Sequence, residues 1–164
     1  MTKSMPDRIP IDIEGYRRTT RQGPCFICEI VAGNPDYRHH IVYEDDTAIA
    51  FLNKYPPLYG YILVAPRVHK EQVTRDFSLD EYLRLQQVVW RVGEAICEVV
   101  PTERLYVLSL GSRDGNRHVH WHLAPLPPGV AFEDQQLAAL EADVLDLTDA
   151  ELEELAGRLR AVLS

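Results

Sequence analysis

The sequence contains few cysteines and no long apolar run. Its three cysteines among 164 residues do not suggest the disulfide framework of a small secreted protein. No segment approaches the roughly 18 consecutive apolar residues that predict a membrane helix. The N-terminus carries basic residues but lacks the apolar core of a secretory signal. We therefore expect a cytoplasmic protein without a membrane partner.

Basic residues are also scarce. The chain has 17 Lys and Arg residues against 25 Asp and Glu residues, a formal net charge of −8. An acidic protein is a poor general partner for nucleic acids, so we expect no nucleic-acid partner. Any phosphate group that it binds must be held by local donors against the overall field. The length and the hydrophobic content of 46% are those of an ordinary single-domain globular protein.

Three of the six histidines occupy alternate positions, with one apolar residue between neighbours. They are His118, His120 and His122, within residues 117–125. Strict alternation predicts a β-strand, which places the three imidazoles on one face and the apolar residues against a core. Neighbouring side chains on that face attach about 6.6 Å apart. Such a row can hold a polyphosphate, or a metal at one end. The alternative is the ordinary polar face of an amphipathic strand.

The rest of the chain combines short apolar runs with two helical patterns. The capping box Ser78–Glu81 predicts a long helix that continues to about Val100 and is stopped by Pro101. A second capping box, Thr148–Glu151, predicts a C-terminal helix to about Leu163. Four further strands are predicted at residues 41–45, 47–53, 61–65 and 104–110. These elements indicate an α+β domain with an antiparallel sheet.

Residues 1–24 show no sustained period, and we interpret them as an extended arm. Tyr16, Arg17 and Arg18 are candidates for contact with an anionic ligand, although such a cluster is more often a solvated face.

Two short helices are predicted, one within residues 25–33 that ends at Gly33 and one over residues 133–141. Cys97 lies in the long helix, where we expect a core position. We divide the chain into an N-terminal arm at 1–24, a domain at 25–128 and a C-terminal helical extension at 129–164.

The pair Cys25-x-x-Cys28 brings two thiolates within reach of one metal. The motif alone is weak, because it also fits a redox pair or two buried residues. A redox pair usually accompanies a thioredoxin-like βαβ pattern, which this sequence does not show. A structural zinc site needs four tetrahedral ligands, so two more donors are required.

The stretch His118-Val119-His120-Trp121-His122-Leu123-Ala124 matches the pattern His-φ-His-φ-His-φ-φ, in which φ is apolar. In this the chain resembles the histidine triad (HIT) family over about residues 25–128. The resemblance implies a HIT-like fold, with a five-stranded antiparallel sheet, one long helix and, in this chain, a C-terminal helix. It also implies a homodimer, because many members pair two chains through helix and strand.

The zinc-carrying branch of this family adds a CxxC pair and a histidine after the third strand to the first triad histidine. The positions that match here are Cys25, Cys28, His69 and His118. The resemblance therefore implies one structural zinc ion per chain, and no organic cofactor is expected. His39 and His40 are alternatives to His69, although neither falls at the family's position.

The resemblance also assigns catalytic roles. The middle histidine, here His120, attacks the α-phosphate of a nucleotide and forms a nucleotidyl-histidine intermediate. The third, here His122, binds the phosphate or assists the leaving group. The predicted nucleotide- and phosphate-binding residues are Asn53, Gly115, Asn116 and His122. Two departures leave the substrate open: Asn53 replaces an aspartate that holds the ribose, and Gly115-Asn116 belongs to a shortened Gly-Gln-Ser/Thr element.

These observations favour a nucleotide hydrolase that cleaves a dinucleoside polyphosphate, such as diadenosine tetraphosphate, or a related nucleotide conjugate. A nucleotidyltransferase and a nucleoside phosphoramidate hydrolase are the enzymatic alternatives. A nucleotide-binding interaction module, or a purely structural zinc protein, is the alternative outside catalysis. The presence of His120 argues against the last two, which leave that residue without a task.

Overall fold

The computed structural model describes residues 6–140 and 143–164. Five strands form the main sheet in the order β2-β3-β4-β6-β5, and all neighbours are antiparallel. The strands are β2 Ile41–Glu44, β3 Ala48–Leu52, β4 Ile62–Pro66, β5 Arg104–Ser109 and β6 Trp121–Leu126. The predicted α+β class and five-stranded antiparallel sheet are confirmed.

The sheet is covered on both faces, which explains why β3 and β4 are apolar throughout and buried along their whole length. The long helix α3, Leu79–Val99, and the C-terminal helix α5, Asp149–Leu163, share one core with the first face. The short helix α2, Phe26–Val31, packs on the opposite face. That opposite face, where the covering is incomplete, carries the site described below.

Both capping boxes form as predicted. In α3 the Ser78 hydroxyl accepts a hydrogen bond from the Glu81 N–H, and the Glu81 carboxylate accepts one from the Ser78 N–H. Thr148 and Glu151 repeat this arrangement in α5. Each cap satisfies backbone donors that a helix start leaves unpaired, a stabilisation of about 1 kcal/mol.

The N-terminal arm is not extended, and this expectation was wrong. It contains a short strand β1, Arg8–Pro10, and a ten-residue helix α1, Ile13–Gln22. Asp12 caps α1 by accepting a hydrogen bond from the Gly15 N–H. No residue of α1 is buried, and Ile13 and Tyr16 are its only large apolar residues, so its sequence is too polar to predict a core-facing helix.

Strand β1 pairs with a second short strand, β7 Asp143–Leu145, in a two-stranded antiparallel ribbon. The ribbon joins the N-terminal arm to the C-terminal extension. The Arg8 guanidinium donates hydrogen bonds to the carbonyls of Asp143 and Pro57, so the ribbon is also attached to the loop after β3. No local pattern in the sequence indicates this pairing.

Two smaller expectations need correction. Cys97 is exposed, because it lies about 100° around α3 from the buried Ile96 and outside the buried face. The helix predicted at residues 133–141 is shorter, with a 3-10 turn at Phe132–Asp134 followed by α4, Gln135–Ala138. Residue 141 lies outside the described residues. Within the described residues, none of the helices combines the length and the hydropathy needed to cross a bilayer.

Candidate functional site

Only the last of the three histidines, His122, lies in a paired strand. Strand β6 begins at Trp121, so the predicted start near residue 117 was too early, and the backbone bends at His118. Ahead of β6, the Val119 N–H donates to the Lys70 carbonyl and the Ser109 hydroxyl donates to the His120 carbonyl. These contacts attach the segment before β6 to its neighbours. The apolar residues between the histidines are buried in the helix-side core, and the three imidazoles line a cavity on the other face.

The middle histidine has a fixed tautomer. The Nδ1 atom of His120 lies 2.7 Å from the His118 carbonyl oxygen, which can only accept, so Nδ1 carries the proton. The lone pair is therefore on Nε2. The ring of Phe26 stands edge-on, 6.0 Å between centroids, and His120 is only 3% exposed. Burial lowers the pKa of His120, which favours the neutral imidazole that a nucleophile requires.

The third histidine lies beside it, with 4.8 Å between the ring centroids of His120 and His122. The Tyr61 hydroxyl is 3.0 Å from His122 Nδ1. Burial raises the pKa of Tyr61 to about 12, so the hydroxyl keeps its proton. Burial, followed by the nearby His120, lowers the pKa of His122 to about 3. The Nε2 atom of His122 is buried and has no hydrogen-bond partner among the described residues, which is an unfavourable state that a ligand oxygen would relieve.

The structure brings the four predicted metal donors together: Cys25, Cys28, His69 and His118 offer ligand atoms that all lie within 4.8 Å of one another. The Sγ atom of Cys25 lies 3.4 Å from His118 Nδ1, and Cys28 Sγ lies 3.4 Å from His69 Nδ1 and 3.5 Å from His118 Nδ1. Metal–sulfur and metal–nitrogen bonds of about 2.3 and 2.05 Å in a tetrahedron separate S and N by about 3.6 Å. The observed spacings match that edge.

The histidine orientations also fit a metal. Both present Nδ1 to the thiols, because His118 Nε2 donates to the Pro66 carbonyl at 2.8 Å and His69 Nε2 faces the Glu71 carboxylate at 3.1 Å. Hydrogen bonds of this kind fix ligating imidazoles in known sites. Burial, the hydrogen bond to Cys25 and its charge raise the pKa of the Cys28 thiol to about 11. Burial lowers the pKa of His118 to about 4. A bound cation would instead lower the pKa of the Cys28 thiol, because it stabilises the thiolate.

A cavity of about 950 Å³ extends from the histidines to the N-terminal helix. Its floor is the histidine face of the sheet, with Phe26 and His39 beside it. Helix α1 forms the opposite wall. Other lining residues come from the loops after β3 and β5: Asn53, Lys54, Tyr55, Leu110, Gly111, Asn116 and Arg117. The volume is that of a site for a small molecule rather than for a single ion.

Three of the four predicted nucleotide-binding residues line this cavity: His122, Asn53 and Asn116. The Asn53 side-chain oxygen accepts a hydrogen bond from the Tyr55 N–H, which leaves its amide group as a donor. Asn116 has a φ of 53° and donates to the Tyr16 hydroxyl at 2.7 Å.

Gly115, the fourth, does not line the cavity. Its backbone lies against Thr20 of α1, and a Cβ atom there would be 3.1 Å from the Thr20 hydroxyl oxygen. Its position therefore allows close approach of α1, and its contact with a phosphate stays a prediction.

Sequence reasoning missed most of the wall that α1 contributes. Tyr16 and Arg18, which were candidates for an anionic ligand, do line the cavity, whereas Arg17 pairs with Glu14 at 2.9 Å. Arg117, four residues before the start of β6, also lines it. The only indication in the sequence that this segment contacts a ligand was the cluster of Tyr16, Arg17 and Arg18.

Comparisons with known proteins agree with this geometry. The family model described as the HIT domain matches residues 34–128. An uncharacterized HIT-like protein of Saccharolobus solfataricus is 32% identical over 104 residues, which cover 62% of this chain and 73% of that protein.

Two crystal structures have the same fold. A hypothetical histidine triad nucleotide-binding protein of Sulfolobus tokodaii is 26% identical with a TM-score of 0.67, over 85% of this chain and 91% of that one. A Zn-bound histidine triad family protein of Mycobacterium smegmatis is 24% identical with a TM-score of 0.64, over 85% of this chain and 92% of that one.

Proposed function

Because the chain belongs to the HIT domain family, we propose that it is a nucleotide-binding hydrolase with a dinucleoside polyphosphate, of the diadenosine tetraphosphate type, or a related nucleotide conjugate as its substrate. The observation that carries the proposal is the tautomer of His120. Its Nδ1–H is fixed on the His118 carbonyl, so the lone pair of Nε2 is available at a cavity of nucleotide size.

The proposed reaction has two steps. In the first, the Nε2 lone pair of His120 attacks the α-phosphorus, a P–N bond forms, and the P–O bond to the leaving group breaks. A polyphosphate leaves as an anion with the bonding electrons and needs no proton. In the second, water attacks the same phosphorus, the P–N electrons return to Nε2, and one water proton passes to solvent. Positioning and charge neutralisation provide most of the catalysis in such transfers.

Neighbouring groups supply the donors that this reaction needs. The Tyr61 hydroxyl donates to His122 Nδ1 in the tautomer that places a proton on Nε2, which then donates to a phosphate oxygen. Asn116 also lines the cavity, and its amide would donate a second hydrogen bond to a phosphate oxygen. The amide of Asn53 is placed to bind a ribose hydroxyl, although without the charge of an aspartate.

We also propose that the protein is of the zinc-carrying branch, with one structural zinc ion held by Cys25, Cys28, His69 and His118. Four protein ligands leave no position for water, so the ion would supply rigidity and no Lewis-acid chemistry at the phosphate. His118 connects the zinc site to catalysis, because its carbonyl accepts a hydrogen bond from His120 Nδ1.

The family model matches residues 34–128, and Cys25 and Cys28 before it belong to the same cluster as His69 and His118. We therefore keep 25–128 as the domain, with the arm at 1–24 and the extension at 129–164. Free thiols suit the cytoplasm, the location that we propose.

A homodimer is a further part of the proposal. Strand β5 is an edge strand of the main sheet, and Val107 on it is exposed. Leu83 and Trp90 are exposed on α3, with 67% of Trp90 accessible. A second copy that continues the sheet across β5 would cover such residues. Trp90→Glu is expected to convert a dimer to a monomer in light scattering, and a wild-type monomer would contradict this part.

The activity is tested by incubating the protein with diadenosine tetraphosphate, a nucleoside phosphoramidate and other dinucleotides. We expect turnover by the wild type and none above background for His120→Ala. His40→Gln is the matched control, because His40 contacts Asp149 and Glu153 and does not line the cavity. Turnover that survives in His120→Ala would refute the mechanism. Binding without turnover would favour the interaction module, and a product carrying an added phosphate or sugar phosphate would favour the transferase.

A further inference from the structure

Helix α1 lies over the cavity of the histidines although it belongs to the segment before the matched family region. Five residues of the helix itself line the cavity: Gly15, Tyr16, Arg18, Thr19 and Thr20. None of the helix residues is buried. A short polar helix of this kind gains little from propensity alone and depends on what holds it in place.

The helix is attached at both ends and near its middle. Before it, β1 is paired with β7. After it, only Gly23 and Pro24 separate it from Cys25 of the metal cluster. Between these ends, Tyr16 accepts the hydrogen bond from Asn116. The fold therefore fixes α1 across the cavity at a distance that leaves about 950 Å³ beneath it.

Two arginines at the cavity have no ion-pair partner among the described residues. Arg18 projects from α1 and Arg117 from the segment just before the first triad histidine, and both line the cavity. Arg17, next to Arg18, is by contrast engaged with Glu14. The two arginines and Lys54 place three cations at the cavity of a protein whose net charge is −8.

Three carboxylates line the same cavity, so its lining is formally neutral, whereas the chain as a whole is acidic. Asp12 is engaged with the N–H of Gly15 at the start of α1, and Glu71 faces His69. Asp36 is the third carboxylate that lines the cavity. Guanidinium groups bind phosphate oxygens through paired N–H donors, so the arrangement suits an anion with several phosphates.

We propose that α1 is a substrate-recognition element, and that Arg18 with Arg117 binds the phosphates of the leaving group, beyond the phosphate that His120 attacks. This inference rests on the proposed function and specifies its substrate class. Substrates with an anionic polyphosphate leaving group are favoured over phosphoramidates, whose leaving amine carries no phosphate.

The test compares two substrates and one matched control. For wild type and Arg18→Ala, kcat/KM is measured with diadenosine tetraphosphate and with adenosine phosphoramidate. Loss of a charge-assisted hydrogen bond in Arg18→Ala is expected to lower kcat/KM for diadenosine tetraphosphate, relative to kcat/KM for adenosine phosphoramidate, by about tenfold or more. Arg21→Ala is expected to leave that ratio unchanged, because Arg21 is on the same helix but does not line the cavity. An equal effect of Arg18→Ala on both substrates, or none, would overturn the inference.

A binding measurement separates this inference from the proposed function. In the His120→Ala background, calorimetry is expected to show that Arg18→Ala weakens binding of diadenosine tetraphosphate about tenfold more than binding of AMP. That result with no turnover by the wild type would refute the hydrolase and retain the recognition element. Turnover by the wild type with an unchanged preference in Arg18→Ala would retain the hydrolase and refute the recognition element. Absence of binding of either nucleotide to the wild type would overturn both.

Discussion

Replacing Cys25 by Ser removes one donor from the proposed zinc site and tests the metal without reference to activity. The four donors are already at tetrahedral spacing, with S–N distances of 3.4–3.5 Å, so binding requires little rearrangement. An ion that binds only the folded chain stabilises it by about 2.7 kcal/mol when its free concentration is one hundred times Kd. At roughly 2–4 °C per kcal/mol for a chain of this size, Tm rises by roughly 5–10 °C.

The assay combines metal analysis with thermal unfolding, each with and without a chelator. The wild type is expected to contain one zinc per chain. With the chelator its Tm is expected to fall by roughly 5–10 °C, which corresponds to the loss of about 2.7 kcal/mol of binding free energy. Cys25→Ser is expected to contain little zinc and to show no response to the chelator. Cys97→Ser is the matched control, since Cys97 is exposed on α3 and outside the cluster. A wild type whose Tm is indifferent to the chelator, or a Cys25–Cys28 disulfide in place of metal, would refute the reasoning.

Three further substitutions test the surrounding structure. Tyr61→Phe leaves His122 Nδ1 buried without a partner, so the free energy of unfolding should fall by about 1–3 kcal/mol, and chemical denaturation with no change would disprove the contact. Asp45→Ala removes the acceptor of four hydrogen bonds at the β2–β3 turn and should cost about 2 kcal/mol by the same assay. Gly60→Ala should cost about 1–3 kcal/mol, because φ is +87° and the new Cβ would lie 2.8 Å from Val100; an unchanged Tm would contradict the strained backbone.

The features that sequence could predict are those set by short-range chemistry. An apolar run predicts a buried strand, a Ser-x-x-Glu element predicts a helix start, and both held for β4 and α3. The four candidate metal donors were assigned through the resemblance to the HIT family, and the structure brings them together. The alternation at residues 117–125 predicted a strand, but alternation cannot show where pairing begins. Pairing begins at Trp121, opposite Ser109 at the end of β5, although β4 continues for two residues past Val64.

The features that sequence could not predict depend on distant partners. The β1–β7 ribbon joins segments separated by 135 residues, through two strands of three residues each. Helix α1 buries no side chain, and its sequence is mostly polar. Its place over the cavity is fixed by contacts such as Tyr16 with Asn116, which are 100 residues apart. No local pattern reports such contacts.

The ribbon of β1 and β7 connects the C-terminal flank of the chain to the N-terminal flank, whose helix α1 lines the cavity of the histidines. Among the described residues, β1 has no strand neighbour except β7. A change confined to the carboxyl-terminal flank would therefore loosen the amino-terminal helix, and its effect would be on which molecules enter rather than on the histidine chemistry. Proteins that share the three histidines would therefore differ in substrate specificity if they differ in these flanking segments, which the histidine motif does not include.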